Sequence, residues 1–200
     1  MPYLGICYGM QLAVVEFARN VCGMKDAHTT EVNKDITHPV IDIQVSQRGV
    51  MAQQKYGGTM RLGAYAAALK NGTQILNLYK KSGRLHGDNE QMLKNSIEAF
   101  RLGVAKENIV LERHRHRYEV NPKYIEQLEK KGLVFSGCHE RLDGTKLMEF
   151  IELKGKYFYG TQAHPEMKSR VESPAPLFLG LIEGAKKRKE QLVPVVAESN

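Results

Sequence analysis

The sequence predicts an α/β fold, a mostly parallel sheet sandwiched by helices, on three observations. Short apolar runs alternate with helix-period segments along most of the 200 residues, the pattern of a layered α/β chain. An N-terminal apolar run, Pro2–Ile6, turns directly into a helix-period segment through Gly5-Ile6-Cys7-Tyr8-Gly9. An aromatic-rich strand, Lys156–Ala163, opens on His164-Pro165-Glu166, with His164 lying 157 residues beyond Cys7. In a sheet of this kind both turns are expected at the carboxyl edge of the strands, where sites form.

The elements follow in order. Pro2–Ile6 is the first strand, and a helix runs from about Gly9 to Val21, with Met10, Val14, Phe17 and Val21 at helical intervals and Gly23 ending it. Pro39–Val45 alternates as a strand does, and Gly57–Tyr65 is a glycine-punctuated strand and turn. Ile75–Tyr79 is short enough to be strand or helix. Lys80 to about Lys106 is polar, with a helical stretch near Glu90–Leu102, and is expected to be a surface insertion. Ile109–Leu111 is a strand entering a basic stretch. Asn121-Pro122 starts a helix, cap then proline, that Gly132 stops. Val134–Cys138 and Lys146–Leu153 pair around the Asp143-Gly144 turn. Ser173-Pro174 caps a last helix to about Gln191. Residues 1–191 form one domain and 192–200 a frayed tail.

Bulk properties narrow the class. Two hundred residues suit a single domain with a substantial core. No apolar run approaches the ~18 residues a membrane span needs, and the N-terminus lacks a secretory layout. Three widely spaced cysteines give no disulfide framework, so a cytoplasmic setting is expected and Asn71-Gly-Thr73 is discounted as a glycosylation site. The formal charge is +7, from 29 basic and 22 acidic residues, concentrated at Arg113–Arg117 and Lys186–Lys189. Neither run is interleaved with base-stacking aromatics, which argues against nucleic acid.

The chemistry-bearing residues form two groups. A cysteine between glycines, at a strand-to-helix turn, has the layout of a nucleophile elbow. There the helix N-terminus is expected to favour thiolate. A thiol nucleophile needs a base, and His164 can serve, its tautomer fixed by Glu166 two residues on in extended geometry. Taken singly, the pentapeptide also fits a buried structural cysteine, and His-Pro-Glu a solvated turn. His114-Arg-His116 with His139 or Cys138 has metal-ligand types, but its cationic flanks disfavour a divalent ion. Cys22 and Cys138 are expected as buried small side chains.

The chain resembles the CTP synthase family, specifically its class I (triad-type) glutamine amidotransferase domain, a flavodoxin-like fold. The residues that carry this are Pro2–Asn20 around the elbow, Gly57-Gly-Thr-Met-Arg-Leu-Gly63, Glu112-Arg-His-Arg-His-Arg-Tyr-Glu-Val-Asn121, Gln162-Ala-His-Pro-Glu166 and Ser173–Phe178. The resemblance implies that Cys7 attacks the side-chain amide of glutamine, His164 acts as base and acid, and Glu166 orients it. It also implies glutamine contacts at Tyr8 (backbone N–H in the oxyanion hole), Gln11, Glu31 and Arg117. A carboxylate suits the α-ammonium, a guanidinium the α-carboxylate. No cofactor or metal is expected in this domain. ATP and magnesium would serve a partner synthetase domain that aminates UTP, GTP would act as activator, and a homo-oligomer is expected.

The sequence departs from the family pattern in three ways. Strands that precede the elbow in the family, with a glycine-rich loop supplying a second oxyanion donor, have no counterpart here. Truncation and weak or absent glutaminase activity are therefore expected. Tyr8 stands where leucine is commoner, and the polar segment near 80–106 has no assigned role. The competing expectation is a non-catalytic binding or regulatory module. The triad alone would also fit another amidotransferase or a γ-glutamyl hydrolase.

Overall fold

In a computed structural model of the protein, residues 1–43, 60–104 and 107–192 are described. A six-stranded sheet runs in the order β1 (Tyr3–Ile6), β9 (Phe158–Thr161), β8 (Lys146–Leu153), β7 (Leu133–Glu140), β4 (Arg61–Leu69), β5 (Ile109–His116). A small second sheet joins β2 (His28–Thr29), β3 (Pro39–Asp42) and β6 (Glu119–Val120). The α/β class holds, but the expected mostly parallel pairing does not. Within the large sheet only β1 and β9 run parallel, and every other described pair is antiparallel. The connections explain this: β7, β8 and β9 follow one another through short turns, and parallel neighbours need a crossover of a dozen residues or more. The β7–β8 turn has Gly144 at φ 80° and Asp143 Oδ1 accepting the Thr145 N–H at 2.9 Å.

Helices cover both faces of the sheet. On one face α1 (Tyr8–Asn20) and α5 (Pro122–Lys130) pack with the small sheet. There Met10, Val14 and Phe17 meet Val40, Ile41, Val120, Leu128, Phe135 and Ile151. Val21, expected on the same stripe, is exposed beyond the helix end. On the other face α2 (Gln74–Lys81) and α6 (Pro176–Leu192) enclose Ile75, Leu76, Tyr79, Phe150, Tyr159 and Leu177. Phe150 and Ile151 are sequence neighbours that enter opposite cores, as strand alternation requires.

The ambiguous run Ile75–Tyr79 is helical because its start is capped twice. Thr73 Oγ1 accepts the Leu76 N–H at 3.3 Å, and the Glu152 carboxylate from β8 accepts the Gln74 and Ile75 N–H groups at 2.9 Å each. The α5 cap is Asn121 with proline following, its side chain accepting from the Lys123 N–H at 3.2 Å. The polar segment is two helices, α3 (Arg84–Lys94) and α4 (Ala99–Leu102), broken between them. Most of its side chains are exposed, but Asp88 is buried and accepts the Leu111 N–H of the edge strand β5 at 2.9 Å. The strand expected at Ile109–Leu111 continues through the basic stretch to His116. Val45, Gly57 and most of the expected tail lie outside the described residues.

Candidate active site

Cys7 sits where the parallel strand ends and α1 begins. Its N–H donates to the Thr161 carbonyl at 2.7 Å, which ties the elbow to the end of β9. Its backbone, φ 51° and ψ −104°, is in a region that side chains other than glycine rarely adopt, the strained conformation a sharp strand-to-helix turn imposes. Of the two flanking glycines, Gly5 is the one that space demands. A Cβ there would lie 2.7 Å from the Gly9 carbonyl carbon, whereas one at Gly9 would meet nothing closer than 4.0 Å. Close approach of the first turn of α1 to β1 is thus possible only over Gly5.

At Cys7 burial works against the expected thiolate. Burial pushes the thiol up. The Tyr8 N–H and the Gln162 carboxamide pull it down, and the charges of Glu119 and Glu166 push it up again. Desolvation therefore opposes the pull of the helix N-terminus on this thiol.

His164 leaves the end of β9 with its N–H donating to the Arg113 carbonyl at 2.8 Å. Its Nδ1 lies 2.6 Å from Glu166 Oε1, while its Nε2 is buried with no partner among the described residues. The pair meets through a 3₁₀ turn over Pro165–Met167 rather than in the extended geometry expected. Pro165 occupies its first position, where the fixed φ suits a helical start.

Of the remaining candidates, Gln11 reaches the same edge through Gln162. Gln11, buried on the first turns of α1, donates from Nε2 to the Tyr118 carbonyl at 2.9 Å and to Gln162 Oε1 at 3.2 Å. Glu31 follows β2, its N–H donating to Thr29 Oγ1 at 3.2 Å. Arg117 lies between β5 and β6. Burial raises the Tyr118 phenol, Glu31 raises it further, and Arg117 acts against both. The Glu31 carboxylate and the Arg117 guanidinium thus both act electrostatically on the Tyr118 phenol. Tyr8 contributes a helix-start N–H, and its ring is half-exposed. Two further residues belong to this constellation: Tyr118 through its carbonyl, and Gln162, whose Nε2 lies 3.6 Å from Cys7 Sγ.

Behind the site lies a buried ionic cluster. Arg61 Nη1 reaches Glu149 Oε1 at 2.6 Å and Glu119 Oε1 at 3.2 Å, and His116 Nε2 lies 2.8 Å from Glu119 Oε1. Burial works against the Glu119 charge, but His116 and Arg61 hold the carboxyl below its ordinary range. Burial, with Arg61 beside it, pushes His114 well below the usual histidine value. The basic stretch is thus a β-strand with His114 and His116 inward and Arg113 and Arg115 outward. Among the described residues no group of three or more His, Cys, Asp or Glu could hold a metal ion. Cys22 and Cys138, expected to be buried, are free thiols partly buried against the core. Nor is any described helix long and apolar enough to cross a membrane.

Comparison with known proteins agrees with this geometry. The family model for glutamine amidotransferase class-I matches residues 1–183. The chain is 48% identical over 192 residues to CTP synthase of Pyrococcus abyssi, covering 96% of this chain and 30% of that protein. It is 48% identical over 186 residues to CTP synthase of Methanopyrus kandleri, covering 92% of this chain and 29% of that protein. Among solved structures it is similar to the glutaminase domain of Trypanosoma brucei CTPS with bound acivicin. That similarity has a TM-score of 0.73 and 34% identity, over 94% of this chain and 61% of that chain. The chain thus spans less than a third of the curated relatives it matches, in the part that resembles a glutaminase domain. With an elbow cysteine, a carboxylate-held histidine and a family match over nearly its whole length, the chain belongs to the glutamine amidotransferase class-I family.

Proposed function

We propose that this chain is the glutamine-hydrolysing part of a CTP synthase, working through Cys7, His164 and Glu166. The observation that carries the reading is the state of the His164 ring: Nδ1 held by Glu166 at 2.6 Å, Nε2 buried and unengaged, in the tautomer that leaves Nε2 ready to accept a proton. The Cys7 proton passes to Nε2 and sulfur attacks the amide carbon. The tetrahedral oxyanion is met by the Tyr8 N–H. Collapse expels ammonia, which takes its proton from the His164 imidazolium and leaves a γ-glutamyl thioester. Water, deprotonated by His164, then releases glutamate and regenerates the thiol. Glu31 holds the α-ammonium of glutamine, Arg117 its α-carboxylate, and Gln11 helps shape the pocket.

The ammonia would serve a partner synthetase domain that aminates UTP with ATP and magnesium under GTP activation, in an oligomeric cytoplasmic enzyme. The relatives' identity as CTP synthases supports this wider role. A binding role without turnover is the second reading, favoured by the raised thiol alone. Glutamate release from glutamine tests the assignment. Replacing Cys7 by Ala is expected to lower it by about 10³-fold or more. Release that survives Cys7→Ala contradicts the reading.

A further inference from the structure

Gln162 was quoted only as part of a motif, yet it is fully buried and the described polar side chain that touches the sulfur. Its orientation follows from a chain that starts at an acceptor with no alternative. The Tyr118 carbonyl can only accept, so the amide nitrogen of Gln11 faces it at 2.9 Å. The second hydrogen of that nitrogen goes to Gln162 Oε1 at 3.2 Å, which turns Gln162 Nε2 toward Cys7 Sγ at 3.6 Å. The backbone is fixed as well: the Gln162 N–H donates to the Glu149 carbonyl at 2.8 Å. A carboxamide held at both ends presents its N–H to sulfur at little entropic cost.

We propose that Gln162 is a catalytic residue of this site, its carboxamide N–H stabilising the Cys7 sulfur as negative charge develops there. The proposal rests on the reading of Cys7 as nucleophile. A thiol is a weak acceptor and a thiolate a strong one, so the bond strengthens as the proton passes to His164. The same donor supports sulfur when it departs as a thiolate during hydrolysis of the thioester. Gln11 is thereby a positioning residue, acting on sulfur through Gln162.

The test is the pH dependence of alkylation by iodoacetamide, read cysteine by cysteine by peptide mass spectrometry on the whole chain. Cys22 and Cys138 serve as internal controls. In Gln162→Leu and Gln162→Met the Cys7 midpoint is expected to rise by about one pH unit, the scale of one lost hydrogen bond to a charged group. The control cysteines should keep their profiles, and glutamate release should fall about tenfold. Should Gln162→Leu unmask Cys22 and Cys138, Gln162→Met decides alone, since it keeps the side-chain length, adds no charge and lacks the N–H donor. An unchanged Cys7 midpoint with intact controls overturns the role of Gln162 while leaving Cys7 as nucleophile. Glutamate release that survives Cys7→Ala overturns both.

Discussion

At the scale of single residues, Gly5 and Cys7 show how much of a site a local motif can state. The elbow was legible because a sharp strand-to-helix turn needs a small residue where the helix crosses the strand, and at Gly5 a Cβ would lie only 2.7 Å from the Gly9 carbonyl carbon. Gly5→Ala is therefore expected to destabilise the protein by about 1–3 kcal/mol, measured by urea unfolding, and to slow glutamate release more than its stability loss accounts for. Gly9→Ala, with nothing nearer than 4.0 Å, should disturb the turn far less. The protonation state of Cys7 was not legible. Helix polarity can be read from the sequence, but the desolvation that opposes it depends on what packs over the sulfur. Gln162 went unassigned for a similar reason: its partners, Gln11 and Cys7, are 151 and 155 residues away in sequence.

Among the elements, what was legible is what short-range turn and cap chemistry decides. The α5 start was legible in Asn121-Pro122 because capping is local. The β7–β8 hairpin was legible in Asp143-Gly144 for the same reason, but the antiparallel partners of β4 and the β8–β9 pairing were not, since pairing at longer range is decided by which faces bury together. The alternation Arg113-His-Arg-His-Arg117 carried an unread signal: charge at every second position with titratable rings between is a strand with one buried face. The polar helix α3 is anchored more firmly than a surface insertion requires. Asp88 accepts from the Leu111 N–H at 2.9 Å and from Lys168 Nζ at 2.8 Å, and Lys168 follows the turn that carries Glu166. Asp88→Ala strands a buried amide and a largely buried ammonium. A loss of about 2–4 kcal/mol is expected on unfolding by urea. Glutamate release should also fall, because the His164–Glu166 turn loses its tether. A loss within about 0.5 kcal/mol, the range of ordinary surface substitutions, would make α3 a passive cover.

For the whole molecule, the buried ionic cluster sets an acid limit. Burial and Arg61 hold His114 well below its ordinary value of 6.5. The unfolded chain therefore takes up a proton there near pH 6.5 that the folded chain refuses. The unfolded state then binds more protons, so the contribution of His114 is complete above that pH and is lost as pH falls below it. The slope is about 1.4 kcal/mol per pH unit at most. Urea unfolding from pH 7 to pH 5 should show that decline, and His114→Asn should flatten it. An identical slope in the variant would remove His114 as its source. The proposed chemistry needs one juxtaposition, the sulfur at the end of β1 beside the imidazole beyond the end of β9. Labelling by an electrophilic glutamine analogue, followed by peptide mapping, tests it most directly. Label confined to Cys7, blocked by excess glutamine and slowed about tenfold or more in His164→Asn, is the required result. Label shared with Cys22 and Cys138, or indifferent to both glutamine and His164→Asn, would contradict it.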